Sequence, residues 1–328
     1  SWFAEYFNLA GEGASAFSLG LFHLMTHASF KALLFLSAGS VIVGMHHEQD
    51  MRKMGGLRKY MPVTYICFLI GSLSLAAIPP FSGFYSKDLI IEAVQHCNFP
   101  GAKIATFFVV GGAMVTALYT FRMFFFVFHG KERLSPEHKA HIKESPASIL
   151  IALIALSIPA AIVGLLFFDP IMHHFFADDL KLFPKNDVVS VFAKDYPSPW
   201  AFFAHSFSTL PFWLAIFGVF IMWISYVIWP KLPEILCSMF KQVYLILCKK
   251  FFVDDIVDLF FNKGAHLLSK CCSLIGDKTI IDGIFVNGSA RSVGLIGKIV
   301  RSFQTGYLYQ YTFIMLFGLI IILISVIL

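Results

Sequence analysis

His23, His27 and Lys31 recur at intervals of four, and from Ala14 to Met45 no other side chain can carry a charge. On an α-helix, rising about 1.5 Å per residue, the three share one face and Lys31 stands about 12 Å along the axis from His23. Histidine changes charge near neutral pH. Ionisable groups inside a membrane segment are costly, so they face a bundle interior or a wet cavity and mark ion or proton pathways. The row therefore points to a proton relay, with hand-over through intervening water. The blander alternative is a set of hydrogen-bonded core residues that fixes helix packing. A second constellation is Lys87-Asp88, just past Pro79-Pro80-Phe81-Ser82-Gly83. Two adjacent prolines cannot continue a helix, and freed backbone groups at membrane depth are tolerated only inside protein or beside water. Discontinuous helices of this kind commonly build ion sites in transporters, and a plain proline kink would not require a Lys-Asp pair beside it.

Other chemistry finds little support. Two histidines four apart face the same way and cannot clamp opposite faces of a haem iron. The one candidate partner is His205, at the start of a later span, so haem ligation is disfavoured. His46-His47 and His173-His174 read as loop-edge residues. Arg122 reads as a snorkelling residue, with a part in a relay as the lesser alternative. The cysteines (Cys67, Cys97, Cys237, Cys248, Cys271 and Cys272) form no Cys-x-x-Cys pair and read as reduced packing residues. Gly11-Glu12-Gly13 is no nucleotide-binding turn. Asn287-Gly288-Ser289 matches a glycosylation tripeptide but falls on the cytoplasmic side by the positive-inside rule. No Walker motif, dinucleotide fingerprint or metal spacing is present, so no metal, cofactor or redox centre is expected on this chain.

The composition is that of a membrane protein. Of 328 residues 58% are hydrophobic and 14% charged, where a soluble domain carries about 25% charged residues. The net charge of +5 requires no nucleic-acid partner. Six stretches satisfy the roughly 20 apolar residues needed to span a bilayer: 14–45, 61–97 (broken), 102–129, 147–168, 206–229 and 305–328. The expected fold is all-α and polytopic, in three parts: 1–230 with the relay, 231–304 amphipathic, and 305–328 as a last span. Ser1 is not an initiator Met and no signal peptide follows, so further helices are expected before it.

Charge sets orientation. Loop 46–60 carries Arg52, Lys53, Arg58 and Lys59, and loop 130–146 carries Lys131, Arg133, Lys139 and Lys143. Both lie on one side if spans alternate. The other side has Lys103 and an acidic-leaning segment, 169–199, with Asp169, Asp178, Asp179, Asp187 and Asp195. The positive-inside rule puts 46–60, 130–146 and 230–304 in the cytoplasm, or the matrix of an organelle. From Phe251, Val253, Ile256, Val257, Phe260, Phe261, Leu267, Leu268, Cys271 and Ile275 recur at helical spacing, with Asp254, Asp258, Asn262, His266 and Lys270 opposite. A second amphipathic piece runs from Val286 to Phe303, and Gly276-Asp277 and Asp282-Gly283 are expected to interrupt the two. Three acidic residues in the first turns argue for packing along partner subunits over binding to anionic lipid.

Phe22-His23-Leu24-Met25-Thr26-His27-Ala28-Ser29-Phe30-Lys31-Ala32-Leu33-Leu34-Phe35-Leu36 resembles the signature helix of the proton-pumping, antiporter-like subunits of respiratory complex I. Met54-Gly55-Gly56-Leu57 and Ile78-Pro79-Pro80-Phe81-Ser82-Gly83-Phe84-Tyr85-Ser86-Lys87-Asp88 fit the next loop and the broken helix of that family. The run Gln304-Thr305-Gly306-Tyr307-Leu308-Tyr309-Gln310-Tyr311, with a long amphipathic stretch before it, narrows the resemblance to the C-terminal half of the L-type (mitochondrial subunit 5) branch. The resemblance implies proton translocation in the inner membrane, coupled to NADH:quinone oxidoreduction in other subunits. It implies Lys31 as the central lysine of the second half-channel, His23 and His27 leading to it, and Lys87 with Asp88 at the outward exit. It implies a lateral helix that clamps neighbouring antiporter-like subunits, and a need for the family's first half, which this chain does not carry. The rival readings are a subunit of a multisubunit cation/proton antiporter or membrane-bound hydrogenase, and a structural clamp without its own transport.

Overall fold

The computed structural model describes residues 10–96, 100–136, 139, 142–172 and 188–327. Cys97, His173, His174, Asp178, Asp179 and Asp187 lie outside the described residues. No strand occurs among the described residues, and the chain forms two compact units, 1–239 and 240–328.

The first described helix of the first unit is α1 (Ala10–Gly44), which holds no proline. The positive φ of His46 (51°) and His47 (68°) ends its last turn, and both rings are exposed, as a loop edge should be. The expected broken span is two short helices, α2 (Pro62–Leu75) and α3 (Ser82–His96). Then come α4 (Ala102–Phe128), α5 (Ala147–Met172), two short helices α6 (Val188–Asp195) and α7 (Pro199–Ser206), and α8 (Leu210–Trp223), which continues as a π turn, Ile224–Ile228. His205 thus belongs to the separate helix α7, not to the start of a membrane span. Segments of α1, α4, α5 and α8, with Leu308–Ile327 in the second unit, are long and apolar enough to cross a membrane. With α2 and α3 as a sixth, broken passage, the polytopic all-α fold expected from composition is present.

α1 packs against α2, α3 and α5, and α4 against α8. One core lies toward the two basic loops, built on Met45, Leu57, Met61, Phe68, Phe124 and Phe128. A second gathers Phe22, Phe84, Tyr85, Phe168 and Phe202 around the start of α3. The basic loops meet as expected of segments on one side. The Gly56 N–H donates to the His129 carbonyl (3.1 Å), Lys59 and Lys139 contact Glu132 (3.4 and 2.9 Å), and Arg133 donates to the Arg52 and Phe126 carbonyls (3.1 and 2.8 Å). The Lys139 hydrogen bond, helped by Lys59, holds the Glu132 carboxyl below its ordinary range.

The N-terminus of α2 is closed from a distance. The Val63 N–H and the Thr64 hydroxyl donate to the two Glu144 carboxylate oxygens (2.9 and 2.6 Å), and Thr64 continues to Ser40 (2.8 Å) and Ser145 (2.7 Å from Ser40). A carboxylate at a helix N-terminus satisfies orphan donors and opposes the helix dipole. Glu144→Ala should cost about 1 kcal/mol for the cap, more if the Thr64 hydroxyl finds no new partner. Faster amide exchange at Val63 and a lower unfolding midpoint would show it; unchanged exchange there would refute the assignment.

The second unit departs from expectation. Gly276-Asp277 and Asp282-Gly283 do not interrupt the amphipathic stretch. Val253–Val257, Asp258–Lys263, Gly264–Cys272, Ser273–Gly288 and Ser289–Ser302 follow one another as alternating α and π segments of one helical run. No proline lies between 253 and 302, so every residue keeps its N–H, and Gly264 and Gly288 adopt ordinary right-handed angles. Asn262 donates to Asp258 (2.6 Å) along the polar stripe. Val253, Ile256, Val257, Phe260 and Phe261 are all exposed in the chain by itself. Cys67 is buried as a packing residue, Cys237 is half-buried, and Cys248, Cys271 and Cys272 are exposed in the chain by itself.

Candidate functional site

The break between α2 and α3 places the site. α2 ends in a Schellman turn: the Ile78 N–H donates to the Leu73 carbonyl and the Ala77 N–H to the Ser74 carbonyl (3.0 and 3.1 Å). Ala77 occupies the left-handed position (φ 56°) that glycine usually takes, and the Pro79–Pro80 peptide is cis. Backbone freed by the prolines is satisfied by side chains. The Gly83 N–H donates to Ser74 Oγ (2.9 Å). Ser82 Oγ donates to the Pro159 carbonyl (2.8 Å) and accepts from the Gly164 N–H (3.0 Å), and Pro159 and Gly164 both lie on α5. The break is thus locked by hydroxyls and presents α3 to α1 at a fixed register.

That register brings the two sequence constellations together. His23 Nδ1 lies 3.0 Å from Ser86 Oγ, which lies 2.7 Å from Thr26 Oγ1. Ser86 is the residue before Lys87, so one buried hydroxyl joins the histidine row on α1 to the Lys-Asp pair on α3. The His23 and His27 rings pack against each other, with centroids 5.7 Å apart. Lys31 acts electrostatically on His27, and Lys87 on His23. Lys31, His23, His27 and Lys87 are partly exposed, and Asp88 is buried. Among the described residues neither lysine is held in an ion pair. His23, through Ser86, thus brings the α1 row of His27 and Lys31 beside the start of α3, where Lys87 and Asp88 follow.

Three groups that sequence reasoning did not single out extend it. Asp88 and Glu92, one turn apart on α3 and both buried, line a half-open cavity of about 430 Å³ with His96, Tyr196 and His205. Glu92 Oε1 lies 3.2 Å from His205 Nε2. The Tyr196 and His205 ring centroids are 5.0 Å apart. Asp88, Glu92 and His96 repeat the four-residue spacing of His23, His27 and Lys31, and that spacing was the available signal. Nothing local in the sequence ties Tyr196 or His205 to them, because the contact spans more than 100 positions. Arg122 stands apart from this path: its Nε donates to the Tyr226 hydroxyl (3.0 Å) at the exposed face of α4, as a snorkelling residue would. Among the described residues no group of three or more His, Cys, Asp or Glu side chains could hold a metal ion.

An arrangement of titratable and hydroxyl groups across one face of a helix bundle is suited to passing protons. Comparison with known proteins places the chain among membrane subunits. Residues 6–116 match the transmembrane family described as NADH:quinone oxidoreductase/Mrp antiporter. The chain is 42% identical to NADH-quinone oxidoreductase subunit L of Neisseria meningitidis, over 95% of this chain and 49% of that protein. It is 37% identical to the subunit L of Rickettsia bellii, over 94% of this chain and 47% of the relative. It is 33% identical to NADH-ubiquinone oxidoreductase chain 5 of Marchantia polymorpha, over 94% and 46%. The chain spans about half the length of the curated relatives it matches.

Proposed function

This chain belongs with the subunit L and chain 5 group of that antiporter-type family, and from that premise we propose that it carries the second half-channel of a proton-translocating membrane subunit. NADH:quinone oxidoreduction in other subunits supplies the energy. The observation that supports the reading is the contact of His23, on the helix face of His27 and Lys31, with Ser86, the residue before Lys87 and Asp88. A change in charge or conformation near Lys31 sends its proton toward Lys87 and outward, and His27 and His23 reload it. Moving one elementary charge against 100 mV takes about 2.3 kcal/mol, within reach of a modest electrostatic change in a shielded site.

The rest of the subunit follows from the same reading. The basic loops 46–60 and 130–146 and the lateral helix lie on the cytoplasmic side of a bacterial inner membrane. The apolar face Val253, Ile256, Val257, Phe260 and Phe261 covers neighbouring antiporter-like subunits. Its present exposure supports this, because burying a large apolar side chain is worth about 1.5–3 kcal/mol. The first half-channel of the same subunit works beside this one.

The test at the exit is charge reversal. In the assembled complex, Lys87→Glu should lower the protons pumped per NADH oxidised severalfold, and Lys87→Arg should retain most of them. Equal pumping by the two variants would leave Lys87 without a part in transport.

A further inference from the structure

We propose that Glu92 and His205 form the outward terminal station of this path, a breakable pair that releases protons into the cavity beside it. The inference rests on the proton-relay reading and adds to it two residues on two separate helices, α3 and α7.

Position argues first. Glu92 lies one helical turn past Asp88 on α3, and both line the same cavity. Geometry argues second. The Glu92 side chain is 10% exposed and that of His205 is 38% exposed, with 3.2 Å between Oε1 and Nε2. The pair therefore has one member shielded and one reaching outward, as a transfer point between protein and water needs. Surroundings argue third. The cavity of about 430 Å³ carries polar groups from four places in the chain: Gln95 on α3, Tyr196 past α6, Ser208 past α7 and Thr209 at the start of α8. A polar space of that size holds several waters.

A proton passes as follows. The proposed cycle starts from the pair taken as a Glu92 carboxylate and a protonated His205, 3.2 Å apart. A proton arriving from Asp88 neutralises Glu92, and the attraction is lost. The imidazolium gives its proton to cavity water. The proton on Glu92 then moves to the neutral imidazole, which restores the pair and moves one proton outward in all. The charged and titratable groups facing the pair are Asp88 and His96 from α3, and Tyr196 with the neighbouring Asp195 from the α6 side.

The experiment uses the assembled complex in sealed vesicles, reading protons pumped per NADH oxidised against the pH of the receiving side. Glu92→Gln and His205→Gln should each lower that ratio severalfold, and His205→Gln should flatten its dependence on receiving-side pH between about 5 and 8. Glu92→Asp should keep most of it. Glutamine at 205 still hydrogen-bonds but does not titrate, so a merely structural role would leave His205→Gln like wild type. Because His205 is partly exposed, this variant carries the test should Glu92→Gln assemble poorly. Lys31→Ala serves as the reference. Wild-type ratios and pH profile in His205→Gln, alongside lost pumping in Lys31→Ala, would overturn the station and leave the relay standing. Wild-type pumping in Lys31→Ala would overturn the relay, and the station with it.

Discussion

Lys31→Ala should abolish most NADH-driven proton pumping by the assembled complex, by about tenfold or more, while Lys31→Arg keeps a substantial part. Between Ala14 and Met45 the only titratable groups are His23, His27 and Lys31. Removing the last leaves no group beyond His27 on α1 to accept a proton, so transfer must cross an apolar stretch of helix. A barrier increase of only about 1.4 kcal/mol gives a tenfold loss. The fold should tolerate the change. Lys31 makes no ion pair among the described residues, and alanine is the best helix former. Loss of pumping with normal assembly on a native gel is the expected pair of results. An assembled Lys31→Ala complex with wild-type stoichiometry would refute the relay and leave these groups a packing role.

Gly83→Ala should cost more in assembly than any other small substitution in the first unit. A Cβ added at Gly83 would stand 1.9 Å from the Ser74 carbonyl oxygen and 2.7 Å from its carbon. Both are backbone atoms of α2, so no flexible side chain can swing aside. The shift needed would also pull the Gly83 N–H from Ser74 Oγ and disturb the Ser82 bridge to α5. Overpacking costs about 1–3 kcal/mol, and a buried N–H left unpaired about as much again. The yield of intact complex in detergent should fall severalfold, with a lower midpoint of thermal disassembly. Gly111→Ala is the control, because nothing lies within 4 Å of its added Cβ and the helix gains about 0.8–1.0 kcal/mol of propensity. Equal yields from the two would mean that the α2–α3 junction is looser than its hydrogen bonds imply.

Length, apolar content and charge were enough to specify an all-α polytopic chain. A run of about 20 apolar residues has few alternatives to a membrane helix, and backbone in lipid must bond to itself. The broken helix was legible for the same reason, since Pro79-Pro80 removes two donors. The meeting of the two basic loops followed from alternation of spans. Less was legible in 251–303, where glycine was read as a stop. Glycine weakens a helix by about 1 kcal/mol but keeps its N–H, and without proline the run continues.

For the site, sequence by itself determined the candidates: an uncharged span isolates His23, His27 and Lys31, and a proline break isolates Lys87 and Asp88. The cost of an ionisable group in an apolar segment is local, so it is written in local sequence. Tertiary structure alone decided that the two clusters meet, because Ser86 is set against His23 and Thr26 by the register of α3 on α1. It alone brought His205 and Tyr196 to Glu92. A serine, a tyrosine or a lone histidine is unremarkable along the chain, and its role depends on which helix packs beside it, a choice made by the Ser82 bridge to α5 and by the aromatic core of Phe84, Tyr85, Phe168 and Phe202.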